Sequence, residues 1–271
     1  MPESNHQELA QVISYMKSHW PSPVKEEWQV SLEDYPKILK KVVQDFTKDR
    51  TKNRQFIRIA GLSGSGKTSQ ILPAVEKYCE VQKLNPVLVA ARRFVDYHPF
   101  KEEIKNEYGE ENLRRNTDEF STIMMFLTLN TLVKEGYDII LDVTLLDPAV
   151  EQILIKMLKE NNYQSLLLMI ATSPTVTEYF LKDRGWRHSK ETEKEFIRAT
   201  KKAIEFYAKN MPDLHIVLWS VYDLEPIYDG KIKDSVAIFN EYSDRTDLPK
   251  NDDDERREAK IQFLSKFDLT Y

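Results

Sequence analysis

Three of the chain's seven glycines, Gly61, Gly64 and Gly66, lie in the short string GLSGSGKT that runs from Gly61 to Thr68. The string satisfies G-x-x-x-x-G-K-[ST], the spacing of a loop that wraps nucleotide phosphates. A triphosphate needs several N–H donors converging on its oxygens, and residues with small side chains let the backbone approach and adopt positive φ. The sequence therefore assigns Gly61, Ser63, Gly64, Ser65, Gly66, Lys67, Thr68 and Ser69 to ATP binding. Lys67 is expected to reach the β and γ phosphates, and the Thr68 hydroxyl to coordinate Mg²⁺.

Three further groups bear on the chemistry. The run YDIILDV carries Asp142 near its end, where a magnesium-organising acid belongs, although an Asp here could also merely cap the next loop. Thr144 follows closely, and Asp147 before Pro148 reads as a helix N-cap. The segment DRGWRHSK, 183–190, reads either as a lid whose Arg184 and Arg187 neutralise a transferred phosphoryl group, or as a solvated basic turn. In AARRFVDYHPF, Arg92 and Arg93 could hold an anionic acceptor, Asp96 could take the acceptor's proton, and His98 could do the same, hold a phosphate, or simply serve a turn. The remaining histidines, His6, His19, His188 and His215, have no ligand spacing, so no zinc site is expected.

These residues require a scaffold of a definite kind. QFIRIA reads as a strand feeding the glycine loop, and 67–83 as the helix after it, whose N-terminus adds a partial positive charge. PVLVAA (86–91), YDIILDV (137–143), YQSLLLMIA (163–171) and LHIVLWS are further strands, with the longest helical stretches at 118–135, 147–161 and 190–209. Near-continuous apolar strands alternating with helices give an α/β class, a mainly parallel sheet with helices on both faces. Residues 1–50 read as a helical extension: Leu32, Tyr35, Ile38, Leu39, Val42, Val43 and Phe46 keep a helical period, with Ser31 as N-cap. Residues 51–220 would form the core, with its lid near 183–190. Residues 221–271 would pack on it as a hairpin turning at Asp229-Gly230 and a terminal helix over 251–267.

Composition narrows the class of protein. The chain has 271 residues, 41% of them hydrophobic, enough to bury a core without metals or disulfides. Its 39 basic against 44 acidic residues leave a formal charge of −5, which argues against a nucleic-acid partner outside a local patch. One cysteine, Cys79, cannot form an internal disulfide, and the compartment expected is the cytoplasm. The longest apolar stretch, Ser165 to Ala171, is too short to span a bilayer, and the start MPESNHQELA lacks a signal peptide's basic and apolar regions.

Over roughly Gln55 to Trp219 the sequence resembles the zeta toxin family of P-loop kinases. The resemblance is carried by GLSGSGKTS, by Phe94-x-x-x-His98-Pro99, by YDIILDVT and by the arginines at 184 and 187. It implies an enzyme that phosphorylates UDP-activated amino sugars such as UDP-N-acetylglucosamine and is neutralised by an epsilon antitoxin. It also implies that Asp142 stands for the family's strand-end acid and Thr144 for its substrate-contacting threonine. The acidic base that the family places two residues before this Phe is replaced by Arg92. Either Asp96 takes over, or the acceptor needs no strong base, or transfer is lost. The leading expectation is an ATP- and Mg²⁺-dependent kinase acting on a hydroxyl of a nucleotide, sugar nucleotide or related anionic metabolite. A catalytically silent nucleotide-binding module and a polynucleotide 5′-hydroxyl kinase are the alternatives.

Overall fold

The computed structural model describes residues 24–145, 148–182, 190–249 and 252–267, together with 13, 14 and 17. In chain order the main elements are α1 (Tyr35–Phe46), β1 (Gln55–Gly61), a π-helical turn Lys67–Ile71 running into α2 (Leu72–Val81), β2 (Val87–Val89), a 3₁₀ stretch Ala91–Tyr97, α3 (Lys101–Tyr108), α4 (Glu110–Asn116) and α5 (Asp118–Lys134). They continue with β3 (Ile139–Asp142), α6 (Pro148–Glu160), β4 (Gln164–Ala171), α7 (Pro174–Lys182), α8 (Lys190–Asn210), β5 (His215–Ser220), β6 (Tyr228–Lys231), α9 (Val236–Ser243) and α10 (Asp253–Ser265). The chain divides into two compact units, one of residues 1–50 and 87–137, the other of 51–86 and 138–271. Residues 24–50 thus share a unit with a later segment.

In the smaller unit α1 lies against α5 and the 91–97 stretch. Tyr35 stacks on Phe120 with ring centres 5.9 Å apart, and Phe46 meets Phe94 at 5.4 Å. Helix α5 is buried on nearly all sides, as its run of Phe120, Ile123, Met124, Leu127 and Leu129 requires. α1 begins at Tyr35, later than its apolar spacing suggests, and Leu32 lies outside it and exposed. The reason is Pro36, which lacks an N–H and is tolerated only in a first helical turn. Ser31 does not cap the helix directly; its hydroxyl donates to Asp34 Oδ2 at 2.7 Å.

The larger unit is built on strands ordered β3-β1-β4-β5-β6. β1 pairs parallel with β3 on one side and β4 on the other, β4 pairs parallel with β5, and β6 closes the far edge antiparallel to β5. Apolar runs such as LLLMIA in β4 are buried throughout, as strands covered on both faces must be. Asp229-Gly230 does not form the expected turn. It sits inside β6, paired with Val217 and Ile216, while the VAIF that follows is helical in α9.

One polar residue interrupts β1. Arg58, 3% exposed, is gripped by Glu151 of α6, its Nη2 donating to Oε1 at 2.8 Å and its Nη1 to Oε2. Arg58 Nη1 also donates to the Tyr207 hydroxyl at 2.8 Å, and that hydroxyl donates to Glu151 Oε2 at 2.7 Å. Burial is the largest single influence and works against the guanidinium, yet the Glu151 carboxylate and the Tyr207 hydroxyl together outweigh it and hold the Arg58 pKa above its ordinary value. At the start of β1, buried Asp138 accepts from the Asn53 N–H at 2.8 Å and the Gln55 N–H at 3.0 Å.

Candidate functional site

The phosphate loop leaves the carboxyl end of β1, with β3 on one side of that strand and β4 on the other, the position at which open α/β sheets bind ligands. Gly61, Gly64 and Gly66 take φ of 142°, 77° and 95°, values that side chains resist. Space is equally restrictive: a Cβ on Gly61 would stand 2.7 Å from Ser65 Oγ, and one on Gly66 2.6 Å from Gln70 Nε2. The loop is stitched by the Ser65 N–H to the Leu62 carbonyl at 3.2 Å and by the Gln70 N–H to the Gly66 carbonyl at 2.8 Å.

The residues of this loop fit a triphosphate. Ser65 is 1% exposed and its hydroxyl has no hydrogen-bond partner among the described residues, an orphan that an anion's oxygen would satisfy. Gly66 stands immediately before the helical turn whose first N–H groups have no acceptor within the helix. Lys67 Nζ curls back over the loop and donates to the carbonyls of Gly61 and Leu62, each at 2.7 Å. Thr68 Oγ1 meets Asp142 Oδ2 at 3.5 Å. The register β1–β3 sets this approach, since Asp142 lies beside Ile59, two residues before Gly61. A hydroxyl and a carboxylate in this position fit Mg²⁺, which commonly takes one or two protein oxygens together with phosphate oxygens and water.

The other expected site residues have mixed fates. Thr144 is half-buried, and its carbonyl accepts from Arg58 Nη2 at 3.4 Å, so the buried arginine also steadies the chain after β3. Arg92, Arg93, Asp96 and His98 belong to the smaller unit. There Arg92 is exposed, while Arg93 donates to the Leu88 carbonyl at 2.6 Å and its guanidinium stands 4.4 Å from the centre of the Phe46 ring. Asp96 is largely exposed and paired with Lys101 at 2.6 Å. His98 is buried edge-on to Phe120 at 4.7 Å, and its Nδ1 accepts the Phe100 N–H at 3.2 Å. That bond puts the proton of the neutral ring on Nε2, and burial lowers the pKa to about 4, so the ring carries no charge for a phosphate near neutral pH. Arg184, Arg187, His188 and Asp147 lie outside the described residues.

Two contacts join residues that no motif links. Asp253 of α10 accepts from Gln70 Nε2 at 2.6 Å and from Ser69 Oγ at 3.4 Å. The acidic start of the last helix was legible, but nothing in it pointed to a loop 183 positions earlier.

A glycine loop between strand and helix, at the carboxyl ends of a mainly parallel sheet, defines an α/β protein of the P-loop kinase fold. The family model described as zeta toxin matches residues 40–236. The chain belongs to the zeta toxin family. Among solved structures, one from the study of the PezAT chromosomal toxin-antitoxin system of the human pathogen Streptococcus pneumoniae is 18% identical, with a TM-score of 0.66 over 89% of this chain and 100% of that one. At that identity the likeness is one of fold. The complex AvrRxo1-ORF1:AvrRxo1-ORF2 with sulphate ions is 11% identical, with a TM-score of 0.49 over 87% of this chain and 89% of that one. No curated protein matches the sequence. Among the described residues no helix is long and apolar enough to cross a membrane.

Proposed function

We propose that the protein is a kinase that transfers the γ-phosphate of ATP to a hydroxyl of a small anionic acceptor, a nucleotide or a sugar nucleotide of the UDP-N-acetylglucosamine kind. The observation that carries the reading is the pairing of a fully formed phosphate loop with Asp142 at 3.5 Å from the Thr68 hydroxyl. The loop amides and Lys67 bind and orient the triphosphate, with Lys67 exchanging the carbonyls of Gly61 and Leu62 for phosphate oxygens. Thr68 and Asp142 would hold Mg²⁺, which supplies charge neutralisation at the phosphates. The acceptor oxygen bonds to the γ-phosphorus as its bond to the β-γ bridging oxygen breaks, ADP leaves, and the hydroxyl proton passes to a base or to water.

Arg184 and Arg187 are assigned to neutralising the transferred group, and Arg92, Arg93 and Thr144 to the acceptor. Asp96 is the proton acceptor nearest in sequence to the position where the family carries its acid. Membership of the family supports a toxin role with a neutralising antitoxin partner, and a lone cysteine, Cys79, supports a cytoplasmic setting. A second reading, a nucleotide-binding module without transfer, is favoured by Arg92 at the base position.

Incubation with γ-labelled ATP, Mg²⁺ and a panel of nucleosides, sugar nucleotides and 5′-hydroxyl oligonucleotides separates the readings. Label is expected on a sugar nucleotide or nucleotide and should disappear with Lys67→Ala. ATP binding with label on no acceptor would overturn the kinase and leave the silent module; label confined to oligonucleotides would make the protein a polynucleotide kinase.

A further inference from the structure

The last helix is tied to the phosphate loop by a chain of side chains that ends on a glycine. α10 packs along the 67–71 turn and α2. At its first residue, Asp253 Oδ1 accepts from Gln70 Nε2 at 2.6 Å and from Arg256 Nη2 at 2.9 Å, while Oδ2 accepts from Ser69 Oγ at 3.4 Å. Arg256 is a fixed anchor rather than a surface partner: it is 2% exposed, its Nη1 donates to the Val221 carbonyl at 3.4 Å, and its guanidinium lies 5.8 Å from the centre of the Phe180 ring. At the other end, Gln70 is 2% exposed and its amide packs on Gly66, with Nε2 standing 2.6 Å from the place a Cβ would occupy. Its own N–H donates to the Gly66 carbonyl at 2.8 Å. Gly66 at φ 95° is the residue that turns the loop into its helix, and Ser69 directly follows Thr68.

We infer that Asp253 is a positioning residue for nucleotide binding: anchored by Arg256, it holds Gln70 and Ser69, and through them keeps the Gly66 turn in the shape that receives the triphosphate. The physical ground is preorganisation. A loop already in its bound conformation spends none of the ligand's binding energy on ordering, and a charged hydrogen bond held in place by a buried arginine is a stiff constraint. The inference rests on the nucleotide-binding part of the proposed function, and it makes affinity for ATP depend on a helix far from the loop in sequence.

The test is a double-mutant cycle on the whole chain, with Mg²⁺-ATP binding followed by calorimetry and thermal melting measured in parallel. Asp253→Asn and Gln70→Leu should each weaken binding by roughly tenfold or more, the scale of one charge-assisted hydrogen bond. The double variant should bind no more weakly than the worse single one, because both break one chain of contacts. A merely structural Asp253 would lower the melting temperature and leave the affinity of the folded molecules unchanged, and that result overturns the inference, as would two effects that multiply. Should Asp253→Asn fail to fold, Gln70→Leu decides alone, since it leaves the Asp253–Arg256 pair intact: weakened binding supports the inference and unchanged binding overturns it. If the unaltered protein binds Mg²⁺-ATP no better than Lys67→Ala, the nucleotide reading itself falls and takes this one with it. Normal binding with an indifferent Asp253→Asn removes only the positioning role.

Discussion

Lys260 invites a replacement by methionine. Its side chain is fully buried, its Nζ donating to the Arg256 carbonyl at 3.3 Å and lying 5.8 Å from the centre of the Trp219 ring. Burial, and then the like charge of Arg256, lowers its pKa from 10.5 to about 7, against a smaller opposing pull from Asp253. Between those two pH values the unfolded chain carries a proton that the folded chain releases, so stability rises with pH across the window; below about 7 both states are protonated and the penalty is constant. The slope is about 1.4 kcal/mol per pH unit, which summed over the window makes the charged lysine's burden on folding on the order of 5 kcal/mol. Methionine has a similar unbranched stem and no charge, and forfeits one hydrogen bond worth about 1 kcal/mol. Lys260→Met should therefore be the more stable protein at neutral pH by a few kcal/mol, with the advantage shrinking steadily toward about pH 10. Urea unfolding of both proteins across that range measures the difference directly. A difference that does not change with pH, or a methionine variant less stable at pH 7, would refute the argument that a buried charge is tolerated there at a net cost to folding.

Other perturbations have equally definite outcomes. Glu151→Ala strands the Arg58 guanidinium at 3% exposure and should cost about 3–5 kcal/mol in denaturant unfolding, whereas Arg58→Met with Glu151→Leu and Tyr207→Phe, which leaves no polar group of the triad behind, should recover most of that loss. Gly66→Ala forces a side chain into φ 95° and against Gln70 Nε2; it should abolish measurable Mg²⁺-ATP binding while costing only about 1–3 kcal/mol of stability, and a variant that binds normally would show that the turn is not under this constraint.

Much of the phosphate loop's shape is legible in the chain itself. The phosphate loop is a local object: three glycines, a lysine and a threonine within eight residues specify the backbone shape, and the shape supplies the donors. The strand before it and the helix after it are local too, and the apolar run of β4 announced a buried parallel strand. Local patterns misled where a single residue could play two parts. Asp229-Gly230 reads as a turn, yet its backbone pairs with β5, and Ser31 reads as a cap until Pro36 is seen to delay the helix.

What the chain order could not convey is which distant residues meet. Arg58 looks like an error in an apolar strand until Glu151 and Tyr207, 93 and 149 positions away, close around it. Asp253 looks like helix-starting acid until it accepts from Gln70 across 183 positions. The grouping of residues 24–50 with 87–137 depends on aromatic contacts such as Tyr35 with Phe120, which no periodicity contains. Contiguous residues alone specify an α/β chain with a loop of the phosphate-binding kind, because the shape of that loop resides in neighbouring backbone and burial in short-range pattern. The partners of its buried charges were decided only in the tertiary structure, because a desolvated charge is stabilised by whichever group packing brings within hydrogen-bond reach.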